Sequence, residues 1–354
     1  MVHNILLIGG HGKVSQILTP LLLARSWNVT SLIRSPDQTS TIEKLGEGHP
    51  GKLSVLVSSL EEIKSESDAK KILDQVQPDW VVWSAGELSC SLYISTFSSF
   101  VRLCSSLLHI VEIECTGCSF KLEESPPVRH MYFFMVAISA FISALYDHCE
   151  ENYWMAVLTL TQGAGGHGGP SRTLAIDRDA AIAFTRASTS ISSITKFMTV
   201  SYNSSRRHKP SWWSEGEWSA AQEVNHRILP TYYEAKVLAD EVLTVLAQRR
   251  YEEDVKKGVK ETARFCGISL RPGFLTSEKA GKVALGRIRA QGQVPRVSVA
   301  EVAVKLLEVE GAKGWFDLLD GEEEVGDAVE RCVKQGIDCV DGEDIEEMKS
   351  RVGV

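Results

Sequence analysis

Ile5-Leu6-Leu7-Ile8-Gly9-Gly10-His11-Gly12-Lys13-Val14-Ser15 decides how the rest of the chain is read. A short apolar run breaks into a glycine turn, and the turn opens into an apolar-periodic stretch from Val14 to Leu23. The order is strand, turn, helix. Gly9 permits the tight turn out of the strand. Gly12 lets the backbone approach a pyrophosphate, which rests on the free N–H groups of the helix start. Ser15 takes the third small position, where helix and strand pack closely. Gly10, Lys13 and Val14 complete the stretch expected to hold a dinucleotide. A glycine pattern alone is a weak signal; its place between a strand and a helix gives it weight.

The residues that follow keep the same rhythm. Val29-Thr30-Ser31-Leu32-Ile33-Arg34 reads as a second strand. The acidic residue that commonly meets a ribose 2′-hydroxyl is missing from its end, and Arg34 stands there. A guanidinium suits a 2′-phosphate, so NADP(H) is expected ahead of NAD(H). Leu53 to Val57 is a third strand, Ser65 to Val76 a polar helix, and Asp79 to Gly86 a fourth strand. That strand ends in Ser84, Ala85 and Gly86, small residues that let a cofactor lie against the carboxyl end of a parallel sheet.

The alternation then breaks. Glu87 to Gly163 holds only three basic residues, Arg102, Lys121 and Arg129, and is rich in Ser, Phe, Tyr, Leu and Cys. Five of the eight cysteines fall between Cys90 and Cys149. Removing the segment joins Ser84-Ala85-Gly86 to Ala164-Gly165-Gly166 and leaves a loop of ordinary length. Three readings stay open: an inserted subdomain, a membrane element, and the translation of a retained intron. The apolar run Met131–Tyr146 is shorter than the ~20 residues that a spanning helix needs. The Gly-Glu start matches what an intron donor would encode, and the interruption of a consistent pattern favours the intron. Cys115-Thr116-Gly117-Cys118 lacks a second matched pair, so no metal site is expected.

Beyond the segment, Arg172 to Ala187 reads as a helix and Thr195 to Ser201 as the fifth strand. The loop Tyr202–Trp213 is polar and aromatic. Its Arg206, Arg207, His208 and Lys209 would either hold an anionic substrate or be solvated. A helix is expected from Pro230, with Thr231 as its cap, to about Arg250, followed by a charged linker to Lys260. Tyr232 and Lys236 lie four apart, on one helix face. An ammonium there favours the phenolate and prepares the hydroxyl for proton exchange with a carbonyl oxygen. Gly267 to Gly273 is a sixth strand ending in Arg271-Pro272-Gly273. Ser298–Val309 reads as a helix and Trp315–Leu319 as a late strand. The acidic tail reads as helical with a solvated charged face.

The domain organisation expected is residues 1–86 and 164–320 as two parts of one dinucleotide-binding domain, 87–163 as the insert, and 321–354 as the tail. The fold class is α/β, a Rossmann-like doubly wound parallel sheet interrupted by an atypical insert. The formal net charge of −8 argues against a nucleic-acid surface. Met1 leads straight into the first strand without an apolar leader, and the remaining cysteines are scattered, so a cytoplasmic protein is expected. No membrane partner is expected outside the 131–146 run, and the oligomeric state is not legible.

Together, Gly9-Gly10-His11-Gly12, Arg34, the Ser84-Ala85-Gly86 strand end, Val200-Ser201, Tyr232 with Lys236, and Arg271-Pro272-Gly273 resemble the atypical short-chain dehydrogenase/reductases, in their NAD(P)H-binding, NmrA-like branch. Fungal NAD(P)-binding proteins of that branch are the most similar in outline. The resemblance implies that Gly9, Gly12 and Ser15 hold the pyrophosphate and that Arg34 meets the 2′-phosphate. It implies that Ser84–Gly86 flank the adenosine. Tyr232 and Lys236 would be the catalytic pair, with Lys236 also reaching the nicotinamide ribose. Ser201 would polarise the carbonyl of a small substrate, and Pro272 and Gly273 would border the cofactor. Tyr202 departs from the pattern where relatives carry a second serine, and Ser204 is the other candidate hydroxyl. The implied activity is an NADPH-dependent reductase or dehydrogenase. The alternative is an NADP(H)-sensing regulator without turnover.

Overall fold

The computed structural model describes residues 2–86 and 169–354. The insert, with its Met131–Tyr146 run and Cys115–Cys118, lies outside the described residues, as do residues 164–168. The two described stretches build one continuous sheet. Its first half comes from β1 (Asn4–Ile8), α1 (Lys13–Leu23), β2 (Asn28–Ile33), the short α2 (Thr39–Glu43), β3 (Leu53–Val57), α3 (Glu66–Val76) and β4 (Trp80–Trp83). After the insert come α4 (Gly169–Thr173), a π-helical stretch (Leu174–Ala180), α5 (Ala181–Ser190), β5 (Lys196–Val200) and α6 (Glu215–Glu223). A long α7 (Pro230–Lys256) leads to β6 (Cys266–Pro272), β7 (Phe274–Thr276), β8 (Val283–Leu285) and β9 (Gln293–Pro295). The chain closes with α8 (Arg296–Glu308), β10 (Gly314–Asp320), α9 (Val325–Lys334) and α10 (Ile345–Val352).

The strand order is β3-β2-β1-β4-β5-β6-β10-β8. Every pairing is parallel except that of β10 with the edge strand β8. This is the doubly wound α/β sheet expected from the alternation of strands and helices. The order reverses between β1 and β4, which opens a crevice at their carboxyl ends.

Alternation along each strand divides the core into two layers. Ile5, Leu7, Val29, Val82 and Ile268 face α1, α8 and α9. Leu6, Ile8, Leu32, Val81 and Phe197 face α3, α5 and α7. All ten are buried, so both faces of the sheet are covered and its strands read as near-continuous apolar runs.

Several local expectations are corrected. The helix expected over Arg172–Ala187 starts at Gly169 and ends at Ser190, and it is π-helical through Leu174–Ala180. Leu229, not Thr231, occupies the N-cap of α7, because Pro230 itself takes the first helical position. That helix runs six residues beyond Arg250, into the stretch expected as a linker. The tail is helical but docked: Cys332, Cys339, Met348 and Val352 are buried, and Arg351 pairs with buried Glu241. Among the described residues, no helix is long and apolar enough to cross a membrane.

Candidate dinucleotide site

β1 ends at Ile8, and the turn that follows is built by its glycines. Gly9 has φ +83°, and a Cβ there would lie 2.7 Å from the backbone of Ala85. A side chain at Gly10 would collide with the Ser31 hydroxyl. The Gly10 N–H donates to Leu32 O and the Gly12 N–H to Gly9 O, each at 2.9 Å. Gly12 is the N-cap of α1. No side chain caps this helix, and its first turn carries no acidic residue. The positive end of α1 is therefore left for an anion from outside the chain. Beneath it the Ser15 hydroxyl is buried and has no hydrogen-bond partner. A buried orphan of this kind is uncommon and marks a place where a ligand or water completes the bonding.

A cavity opens over this turn and runs across the strand ends. The turn contributes Gly9, His11 and Gly12, and the end of β2 contributes Leu32, Ile33 and Arg34, with Gln38 beyond. Ser59, Leu60 and Glu61 follow β3; Ser84, Ala85 and Gly86 follow β4; Arg172, Thr173, Ile176 and Asp177 close the far wall. Of the residues expected to hold a cofactor, Gly9, Gly12, Arg34, Ser84, Ala85 and Gly86 line it. Gly10, Val14 and Ser15 pack below the turn, and Lys13 opens α1. Pro272 and Gly273 lie outside this lining; Gly273 is seated against Leu319 and Gly292.

Lys236 stands one strand further on. Its ammonium donates to Val200 O at 3.0 Å and lies 3.6 Å from Asp177 Oδ1. The Tyr232 ring centroid is 5.9 Å from Lys236 Nζ and 5.3 Å from the Tyr202 ring. The Tyr202 hydroxyl donates to Asn225 Oδ1 at 2.9 Å, and burial raises its pKa well above the usual phenolic range. The helix face that brings Tyr232 and Lys236 together is the one expected from their spacing.

Ser201 is positioned differently from expectation. It is buried, and its hydroxyl proton is donated to Asp240 Oδ2 at 2.6 Å. Asp240 also accepts from Ser205, Ser269 and Arg271. Arg271 reaches on to Asp317, which pairs with Arg206 as well. Burial pushes the Asp317 carboxyl up, against the two guanidiniums that pull it down. Arg206 is thus neither solvated nor free for an anionic substrate; it is fully buried and also donates to Asn203 O and Cys339 O. Arg207 pairs with Glu241. The Ser204 hydroxyl donates to Asn203 Oδ1 at 3.3 Å.

The residue that the sequence reading missed is Asp177. It is buried in the cavity wall, with Oδ1 directly over Gly86 and the Lys236 ammonium, 3.6 Å away, as its ion-pair partner. Burial pushes its carboxyl up to about 6, although the Lys236 ammonium pulls it down. The available signal was weak: Asp177 follows the apolar Leu174-Ala175-Ile176 but is itself followed by Arg178-Asp179, as on an ordinary solvated helix face. Among the described residues, no cluster of His, Cys, Asp or Glu could hold a metal ion.

No protein-family model matches the chain. Over 185 residues it is 30% identical to the UPF0659 protein C216.03 of Schizosaccharomyces pombe, covering 51% of this chain and 68% of that protein. Solved structures share the fold. A Bacillus halodurans protein assigned as an NAD-dependent epimerase/dehydratase superposes with a TM-score of 0.53 at 17% identity, covering 93% of this chain and 99% of the other. The oxidoreductase ylbE from Lactococcus lactis gives 0.50 at 12% identity, covering 94% and 97%. The fold is thus one found among NAD(P)-binding oxidoreductases.

Proposed function

The chain belongs to the UPF0659 family, and we propose that it is an NADPH-dependent reductase of a small carbonyl substrate. One observation carries this reading. An open cavity spans the carboxyl ends of β1 to β4 over an uncapped helix start, and Lys236 and Tyr232 stand one strand beyond it. Ligands of open α/β sheets bind at such a reversal of strand order. The fold shared with an oxidoreductase and an NAD-dependent epimerase/dehydratase supports the same class.

The residues fit the group. Gly9 lets the Ala85 backbone close against the turn, Gly12 leaves the helix start without a side chain, and the bare N-terminus of α1 with the Ser15 hydroxyl would supply donors to a pyrophosphate. Arg34 is exposed at the cavity wall, where its guanidinium suits a 2′-phosphate. Ser84, Ala85 and Gly86 line the cavity at the end of β4. When bound, the nicotinamide supplies the hydride. Tyr232 donates its phenolic proton to the substrate oxygen as that oxygen gains charge. Lys236 keeps a positive charge beside the reacting groups and is held in place by Val200 O and Asp177. Ser201 acts through Asp240: it fixes the chain where it leaves β5 and gives no proton to the substrate.

Replacing Tyr232 with Phe tests this assignment. NADPH oxidation across a panel of small ketones, aldehydes and quinones should fall at least ~100-fold, a size usual for loss of a general acid. NADPH affinity should stay within a factor of ~3, because the hydroxyl acts on the substrate. Binding without oxidation of NADPH by any substrate, in the unmodified chain, would contradict the reductase assignment and support a regulator that reads the cofactor.

A further inference from the structure

A second feature of the cavity rests on the dinucleotide reading and deepens it. Arg34 occupies the strand end where an acid commonly receives a ribose hydroxyl. The buried carboxylate of the lining is at the other end: Asp177 stands against Gly86, after β4, whereas Arg34 follows β2 on the far side of β1. Its Oδ1 has no hydrogen-bond partner and is 3.6 Å from the Lys236 ammonium. One long ion-pair contact leaves the buried carboxylate short of close donors, and a ligand hydroxyl would supply one.

We propose that Asp177 is a recognition residue of the cavity, whose ionised carboxylate accepts a hydrogen bond from a sugar hydroxyl of the bound dinucleotide on the β4 side. Hydrogen bonds to an ionised acceptor are roughly twice as strong as neutral ones. Binding therefore favours the ionised form and strengthens as pH rises through the range where the free group titrates, about 6. Among the described residues, the charged groups around it are few. Lys236 of α7 faces it within ion-pair distance. Glu61, after β3, is paired with Arg172 of α4, and Glu62 is exposed. Arg178 pairs with Asp179 and Glu234, and Arg186 of α5 donates to Val352 O.

The test is calorimetric titration of NADP+ into the full chain and into Asp177→Asn between pH 5 and pH 8. The 2′-phosphate of the ligand titrates in this range too, but equally for both chains, so it cancels in their affinity ratio. That ratio, wild type over variant, should fall ~tenfold from pH 8 to pH 5, as follows from a group titrating near 6. A ratio independent of pH overturns the proposal and leaves Asp177 a merely structural role. Absence of binding by both chains overturns the dinucleotide reading beneath it. Asp177→Ser serves as a second variant if the Asn chain does not fold, with the same pH dependence expected of the ratio.

Discussion

Two groups of buried polar side chains adjoin in this molecule and are completed differently. Around Asp240, the serines 201, 205 and 269 and the guanidiniums of Arg271 and Arg206 satisfy both carboxylates, Asp240 and Asp317. The Arg271 guanidinium also stacks 3.8 Å from the Trp315 ring centroid. Around the glycine turn, the Ser15 hydroxyl lacks a partner, Asp177 Oδ1 has only the Lys236 ammonium at 3.6 Å, and the start of α1 lacks a cap. Each unmet buried group costs about 1–3 kcal/mol. The closed cluster therefore holds the fold together and offers nothing to a ligand. The open one gives up stability and keeps its bonding capacity for a bound molecule. Residue type does not separate the two, since both contain serines, aspartates and basic groups; the count of partners does.

Breaking the closed cluster should have the largest effect. Asp240→Ala strips the shared acceptor from Ser201, Ser205 and Ser269 and leaves buried Arg271 with the Asp317 carboxylate alone, and unfolding in urea should show a loss of about 3–5 kcal/mol. A loss below about 1 kcal/mol would mean that the cluster is not closed. At the open site the expected effect is on ligand choice. Arg34→Ser should reduce the preference for NADP+ over NAD+ by ~10- to 100-fold, the worth of charge-assisted hydrogen bonds to a phosphate. Melting temperature should be unchanged, because Arg34 is exposed. Equal preference in both chains would remove Arg34 from the site.

The smallest expected effect sharpens the comparison most. Burial raises the Asp177 carboxyl from 3.8 to about 6 in the folded chain. The folded state then binds the proton more readily than the unfolded state. The resulting penalty is absent below pH ~4, grows between ~4 and ~6, and is complete above ~6. Asp177→Asn should therefore raise the melting temperature of the ligand-free protein by ~3–8 °C at pH 8 and by nothing at pH 4. Asp240→Asn, which weakens the acceptor shared by Ser201, Ser205, Ser269 and Arg271, should lower it at pH 8.

Much of the sheet was legible. β3 coincides with the expected Leu53–Val57, and the other principal strands lie within one residue of their expected ends except β4, which stops at Trp83, three residues before Gly86, because a buried parallel strand advertises itself as an apolar run while the small residues after it only line the sheet end. The glycine turn and the Tyr232–Lys236 face were legible for a similar reason: both depend on short spacings along the chain. Ser201 and Arg206 were not. Their partners Asp240 and Asp317 lie 39 and 111 residues away, and no local pattern announces such pairings. Asp177 was missed because it sits in a π-helical stretch that reads in sequence as ordinary helix. The docking of the tail escaped notice because Met348 and Val352 are few among many charges.

The central claim is that the open cavity over the glycine turn takes NADPH. Gly12→Ala tests it most directly. Gly12 has φ −62°, which alanine accepts, and the nearest contact of an added Cβ is Gly9 O at 3.1 Å, so the fold should survive. The methyl group would nevertheless stand where the pyrophosphate must approach the helix start. Tryptophan-to-NADPH energy transfer should report saturable binding to the unmodified chain and at least ~10-fold weaker binding to Gly12→Ala, a loss of about 1.4 kcal/mol or more. Unchanged affinity in a folded Gly12→Ala chain, or no binding in the unmodified one, would contradict the account.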